Sequence, residues 1–146
     1  MVSPIQITSI IGFLLSIYAL YVEIKSSKNK EYKAFCDIKE NMSCNKAFSS
    51  KYGKTAGLSN SIYGIFFYVV IFLLDYYNYP KWIFYLSVFS FLGSVYLAYI
   101  SYFKLKNFCL VCTAIYIVNI LLLIASFKLV YCTVDKLKYL LYPQNI

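Results

Sequence analysis

The 146-residue chain contains no histidine and no arginine, and it has only one tryptophan, two methionines and three prolines. Without histidine there can be no Ser-His or Cys-His nucleophile pair, no histidine-ligated haem and few zinc sites. The 14 basic residues are all lysine. Nucleic-acid readers rely on arginine for bidentate contacts, so no nucleic-acid partner is expected. The lysines suit loops that face water or anionic lipid headgroups. The five glycines are scattered and form no phosphate-binding loop. Charge is sparse at 14% and is missing from every long apolar run, which leaves ion pumps and proton relays without their buried carboxylates.

Apolar surface is abundant. The chain is 61% hydrophobic and 21% aromatic, with a mean hydropathy of +0.65. Four uncharged runs stand out: Met1–Val22, Thr55–Leu74, Trp82–Phe103 and Asn107–Phe127. About 20 apolar residues in a helix cross the hydrocarbon layer, where each backbone polar group must be satisfied within its own segment. The runs predict an all-α, four-helix transmembrane bundle with one large loop between the first and second helices. Residues 1–146 are read as a single integral-membrane domain with membrane helices at about 5–22, 56–74, 82–103 and 108–127. The first run lacks a basic leader and a small-residue cleavage site, so it is expected to be retained.

The connections are unequal. Glu23–Lys54 carries eight lysines and two cysteines, Asp75–Lys81 is a turn containing Pro80, and only Lys104-Leu105-Lys106 joins the last two runs. Counting crossings puts the long loop and the 104–106 turn on the same membrane face. Cys36 and Cys44 of the loop then share that face with Cys109 and Cys112, while Cys132 falls on the other.

Cys109-Leu110-Val111-Cys112 is a C-x-x-C at a helix N-terminus. Free amides and the helix dipole favour thiolate there, and the one-turn spacing lets the two sulfurs pair. Two small buried residues in an apolar helix are an equally good reading of the motif taken alone. Metal binding is weaker, since no second C-x-x-C completes a zinc set. Cys36 and Cys44 alone suggest a structural loop disulfide, but beside a membrane dithiol they resemble a relay by thiol–disulfide exchange. With no flavin, haem or iron–sulfur motif and no tightly bound cofactor expected, a lipid-soluble quinone is the simplest electron partner. Its pocket needs apolar walls and one or two neutral donors. Asn60, inside an uncharged run near the cysteine face, is one candidate, with capping of the second helix as the alternative. Tyr116 stacks one turn beyond Cys112, although with 17 tyrosines present spacing alone favours a packing role.

These residues together resemble the vitamin K epoxide reductase family, in its animal branch, over most of the chain. The resemblance is carried by Ser16-Ile-Tyr-Ala-Leu-Tyr-Val22, Phe35-Cys-Asp37, Ser43-Cys44 with Phe48-Ser-Ser50, Ser59-Asn-Ser-Ile-Tyr-Gly64, Gly93-Ser-Val-Tyr-Leu-Ala98 and Phe108-Cys-Leu-Val-Cys112. It implies a multi-pass endoplasmic-reticulum enzyme that reduces vitamin K epoxide to the quinone and then to the hydroquinone. It implies that Cys112 faces the substrate with Cys109 as its disulfide partner. Cys36 and Cys44 would bring electrons from a thioredoxin-like luminal oxidoreductase, Cys44 reaching Cys109 through a mixed disulfide. Asn60 and Tyr116 match the positions that bind the quinone oxygens, Phe67 and Tyr63 match the pocket wall, and Ser50 matches the loop serine. Coumarin or indandione anticoagulants are implied as further ligands, and membrane lipid surrounds the whole. Two departures stand out: Tyr52–Leu58, which builds a cap over the pocket in animal members, is shortened, and Tyr63 replaces a usual phenylalanine.

Orientation draws opposing predictions. Ten lysines lie on the cysteine face against four on the other, which by the positive-inside rule makes the cysteine face cytosolic. Stable disulfides belong to oxidising compartments, which makes it luminal; the reading adopted is luminal. Asn41-Met42-Ser43 is a glycosylation sequon on that loop. Two rivals remain. A quinone-driven oxidase making disulfides for secreted proteins would use the same residues in the reverse direction. A claudin- or tetraspanin-like scaffold would explain the loop pair but leave Cys109 and Cys112 unexplained.

Overall fold

In a computed structural model, the described residues are 3–29, 33–34, 44, 54–55 and 58–141. Cys36, Asn41 and Ser50 lie outside them. Among the described residues, four long helices form the framework: α1 (Pro4–Lys28), α2 (Asn60–Tyr76), α3 (Pro80–Tyr99) and α4 (Leu110–Leu141). Each packs against the next and α4 closes back on α1, which makes a four-helix bundle. A short antiparallel ladder precedes α2, pairing β1 (Lys54–Thr55) with β2 (Leu58–Ser59). Pro4–Lys28, Pro80–Lys104 and Leu110–Lys138 are long and apolar enough to cross a membrane, while α2 is a shorter apolar helix of 17 residues.

The helix limits follow local chemistry. Ser3 starts α1 with a capping box: its hydroxyl accepts from the Gln6 amide and the Gln6 side chain accepts from the Ser3 amide, with Pro4 at the first helical position. The Ser3 hydroxyl also donates to Asp75 Oδ2 at 2.6 Å, tying the start of α1 to the end of α2. Asn78, with φ of 56°, makes the turn into Pro80, a left-handed conformation that asparagine tolerates.

Two helices differ from the apolar runs that announce them. The second run starts at Thr55, but α2 starts at Asn60, because the ladder occupies the residues before it. The fourth run ends at Phe127, whereas α4 continues to Leu141. A lysine ends the apolar stretch without ending the helix, and no glycine or proline intervenes before Pro143. Cys132 therefore lies within α4, exposed, rather than beyond the last helix.

Small and polar side chains share the interior with apolar ones among the described residues. On α1 the buried face runs Ile5, Ser9, Gly12, Ser16, Ala19 and Glu23. A Cβ on Gly12 would lie 2.3 Å from the Tyr68 ring, and one on Gly64 would lie 2.7 Å from Ser16 Oγ. Lipid offers no hydrophobic drive between helices, so close approach over small residues has to supply the packing. Tyr68 donates to Asn119 Oδ1 at 2.7 Å, and Asn119 Nδ2 donates to Ser94 Oγ at 2.7 Å, linking α2, α4 and α3. Two apolar clusters flank these bonds. One gathers Ile5, Tyr68, Ile71, Ile83, Val118 and Leu122; the other gathers Ala19, Val22, Ala34, Cys44, Cys109 and Val111.

Candidate functional site

The second cluster holds the sulfur chemistry. Cys109 immediately precedes α4, and its carbonyl accepts from the Thr113 amide at 3.0 Å, the first bond of that helix. Its sulfur accepts from the Cys112 amide at 3.3 Å. Cys109 thus occupies the capping position, with sulfur in the place usually taken by a serine or aspartate oxygen. The approach is held from both sides. Leu105 closes a π-type turn onto Ile100 at 2.9 Å, and Lys106 takes φ of 47°. The amide of buried Asn107 then donates to the Ser101 carbonyl at 3.1 Å, and its carbonyl accepts from Ser101 Oγ at 2.8 Å. Thr113 spends its hydroxyl hydrogen on the Cys109 carbonyl at 2.9 Å, so Tyr102 must be the donor in its 2.9 Å contact with Thr113.

Cys44 and Cys109 meet in this cluster. Both are buried, and the Cys109 thiol donates to Cys44 Sγ at 3.5 Å. Cys44 is disulfide-bonded, while among the described residues Cys109, Cys112 and Cys132 are not in disulfides. The Cys112 side chain packs against the cluster and lies within hydrogen-bonding reach of Cys109. Three sulfurs from the long loop and the start of α4 are therefore contiguous. Thiol–disulfide exchange requires that approach, because the attacking sulfur must reach a disulfide sulfur directly. Tyr116, half-buried and one turn beyond Cys112, has its phenol within electrostatic reach of Cys112, Cys109 and Tyr102.

Asn60 is the first residue of α2 and is half-buried. The cap of that helix is Ser59, whose hydroxyl accepts from the Ser61 amide at 3.1 Å, so capping does not account for Asn60. Tyr63 lies one turn on and is exposed at the bundle surface. Phe67 packs edge-on against Tyr68 at 5.2 Å and belongs to the other apolar cluster, so the described contacts do not bring it to the sulfurs.

One residue of this region is missed by cutting the sequence at its charges. Glu23 ends the first apolar run, yet it is 6% exposed. Its Oε2 accepts from the Ser59 hydroxyl and, at 3.5 Å, from the Ser61 hydroxyl. The signal was available in spacing, since Glu23 continues the 4-3-4-3-4 pattern of Ile5, Ser9, Gly12, Ser16 and Ala19.

Comparison with known proteins bears on the family of the chain. The model of the vitamin K epoxide reductase family matches residues 3–127. The rat vitamin K epoxide reductase complex subunit 1 is 37% identical over 134 residues, covering 80% of this chain and 83% of its own. The mouse protein of the same name is 38% identical over the same shares.

Proposed function

The chain belongs to the vitamin K epoxide reductase family, and from that premise we propose how its cysteines work as a membrane oxidoreductase. It is an integral-membrane enzyme of the vitamin K epoxide reductase type, with residues 1–146 forming one catalytic domain. The observation that supports the cysteine assignment is the 3.5 Å approach of Cys109 to Cys44, with Cys112 alongside.

Cys112 thiolate adds to the quinone or epoxide ring. Cys109 then attacks the Cys112 sulfur, releases the reduced ring and closes the Cys109–Cys112 disulfide. Epoxide reduction consumes one dithiol and yields quinone and water; quinone reduction consumes a second and yields hydroquinone. Asn60 and Tyr116 donate to the two ring oxygens, where negative charge develops, and an apolar site strengthens both bonds. Tyr63 and Phe67 contribute pocket wall, and Ser50 supports the loop. No tightly bound cofactor takes part.

Reloading runs through Cys44. In reduced form it attacks Cys109, forms a mixed disulfide, and passes the oxidation to Cys36. A thioredoxin-like luminal protein then reduces the Cys36–Cys44 pair. On this reading the cysteine face lies in the endoplasmic-reticulum lumen. Coumarin and indandione anticoagulants mimic the ring and compete for the same donors.

The test is epoxide and quinone turnover in membranes driven by a small dithiol, wild type against Cys112→Ala. Loss of both activities in the folded variant supports the assignment. Quinone turnover without epoxide turnover in wild type supports a general disulfide relay, and turnover that survives Cys112→Ala overturns the role of that cysteine.

A further inference from the structure

A carboxylate withdrawn from water costs several kcal/mol unless charge or hydrogen bonds compensate it. Glu23 is 6% exposed, and among the described residues the side chains that hold it are two serine hydroxyls. Both come from the first turn of α2. Ser59 is the cap and Ser61 is the second helical residue, so the carboxylate from α1 faces the N-terminus of α2. That end carries the positive pole of the helix and its unpaired amides.

The bonds are ordered. The Ser61 amide donates to the Ser59 hydroxyl oxygen, and the Ser59 hydroxyl in turn donates to Glu23. A serine hydroxyl has one hydrogen, so the carboxylate fixes its direction and leaves its lone pairs turned toward the Ser61 amide. Asn60 is the residue between these two serines. Its backbone is therefore held on both sides by one anion on a neighbouring helix.

We propose that Glu23 is the positioning residue for Asn60: through Ser59 and Ser61 it fixes the first turn of α2 so that the Asn60 amide is aimed at the quinone oxygen. The proposal rests on the substrate-binding role given to Asn60 above. Without that acceptor oxygen, the Ser59 hydroxyl turns freely, the first turn frays, and the Asn60 amide spends less time on target. A donor held in place acts chiefly as negative charge develops on the substrate, so the loss falls on kcat/KM.

A double-mutant cycle in the full-length membrane protein tests this, with dithiol-driven quinone reduction as the assay and melting temperature in detergent as the fold control. Asn60→Ala is expected to lower kcat/KM about tenfold, the worth of one hydrogen bond. Glu23→Leu is expected to lower it by a similar factor, and the combined variant by no more than Asn60→Ala alone. Glu23→Gln keeps an oxygen that accepts from Ser59 and is expected to restore most of the loss. Ser59→Ala cuts the same chain with a smaller change, and its coupling to Asn60→Ala is read if Glu23→Leu does not fold. Losses that multiply fully in both cycles overturn the proposal while leaving Asn60 as a substrate ligand. Unchanged turnover in Asn60→Ala overturns the substrate-binding role itself, and the proposal with it.

Discussion

Cys44 and Cys109 stand 65 positions apart in sequence, and their sulfurs lie 3.5 Å apart in a buried cluster. A mixed disulfide between them needs little movement. In Cys112→Ala the Cys109 thiolate can still attack the Cys44 disulfide, but no Cys112 thiol is there to displace Cys44 from Cys109, so a Cys44–Cys109 cross-link should accumulate. Peptide mapping by mass spectrometry without reductant should detect it there and not in Cys109→Ala.

The Tyr68–Asn119–Ser94 chain joins three helices inside the bundle. Asn119→Leu leaves the Tyr68 hydroxyl without its acceptor, at an expected cost of about 1–3 kcal/mol. Tyr68→Phe alone should cost less, and the two together less than their sum. Thermal melting of the detergent-solubilised protein measures all three.

Glycine positions separate by the space around them. Gly12→Ala drives a methyl group into the Tyr68 ring, and overpacking of this kind costs about 1–3 kcal/mol. Gly93→Ala meets nothing within 4 Å. It should leave the melting temperature unchanged or raise it slightly, by less than about 1 kcal/mol equivalent.

Cys132 is exposed and lies 23 positions after Cys109 along α4, a rise of about 35 Å. It therefore belongs to the membrane face opposite Cys44, Cys109 and Cys112. In sealed microsomes a membrane-impermeant maleimide should label it from outside, as a luminal cysteine loop requires. Protection until the vesicles are opened would give the orientation that the lysine count favours.

Much of the bundle was legible because run length and crossing parity depend only on the chain and on the thickness of the hydrocarbon layer. Parity alone placed Cys44 and Cys109 on one face. Three things were not legible that way. The end of α4 was missed because a charged residue stops a membrane span without stopping a helix. Glu23 was missed because cutting at charges assigns every carboxylate to water, although its spacing continues the buried face. The Tyr68–Asn119 bond was missed because pairing across helices depends on how each is rotated about its axis, which apolar run length does not encode. Cys36 and Ser50 fall outside the described residues, so their roles remain those proposed from family resemblance.

The 17 residues of α2 rise about 26 Å, a few ångströms less than the hydrocarbon layer. The bilayer must thin around this helix or draw its ends inward. Where its ends are drawn inward, Asn60, the first residue of α2, comes to lie at the edge of the hydrocarbon. With Asn60 as the quinone donor proposed above, a substrate dissolved in the hydrocarbon reaches it by lateral diffusion and never has to pass through water. The short helix thus sets a route of entry as well as a length.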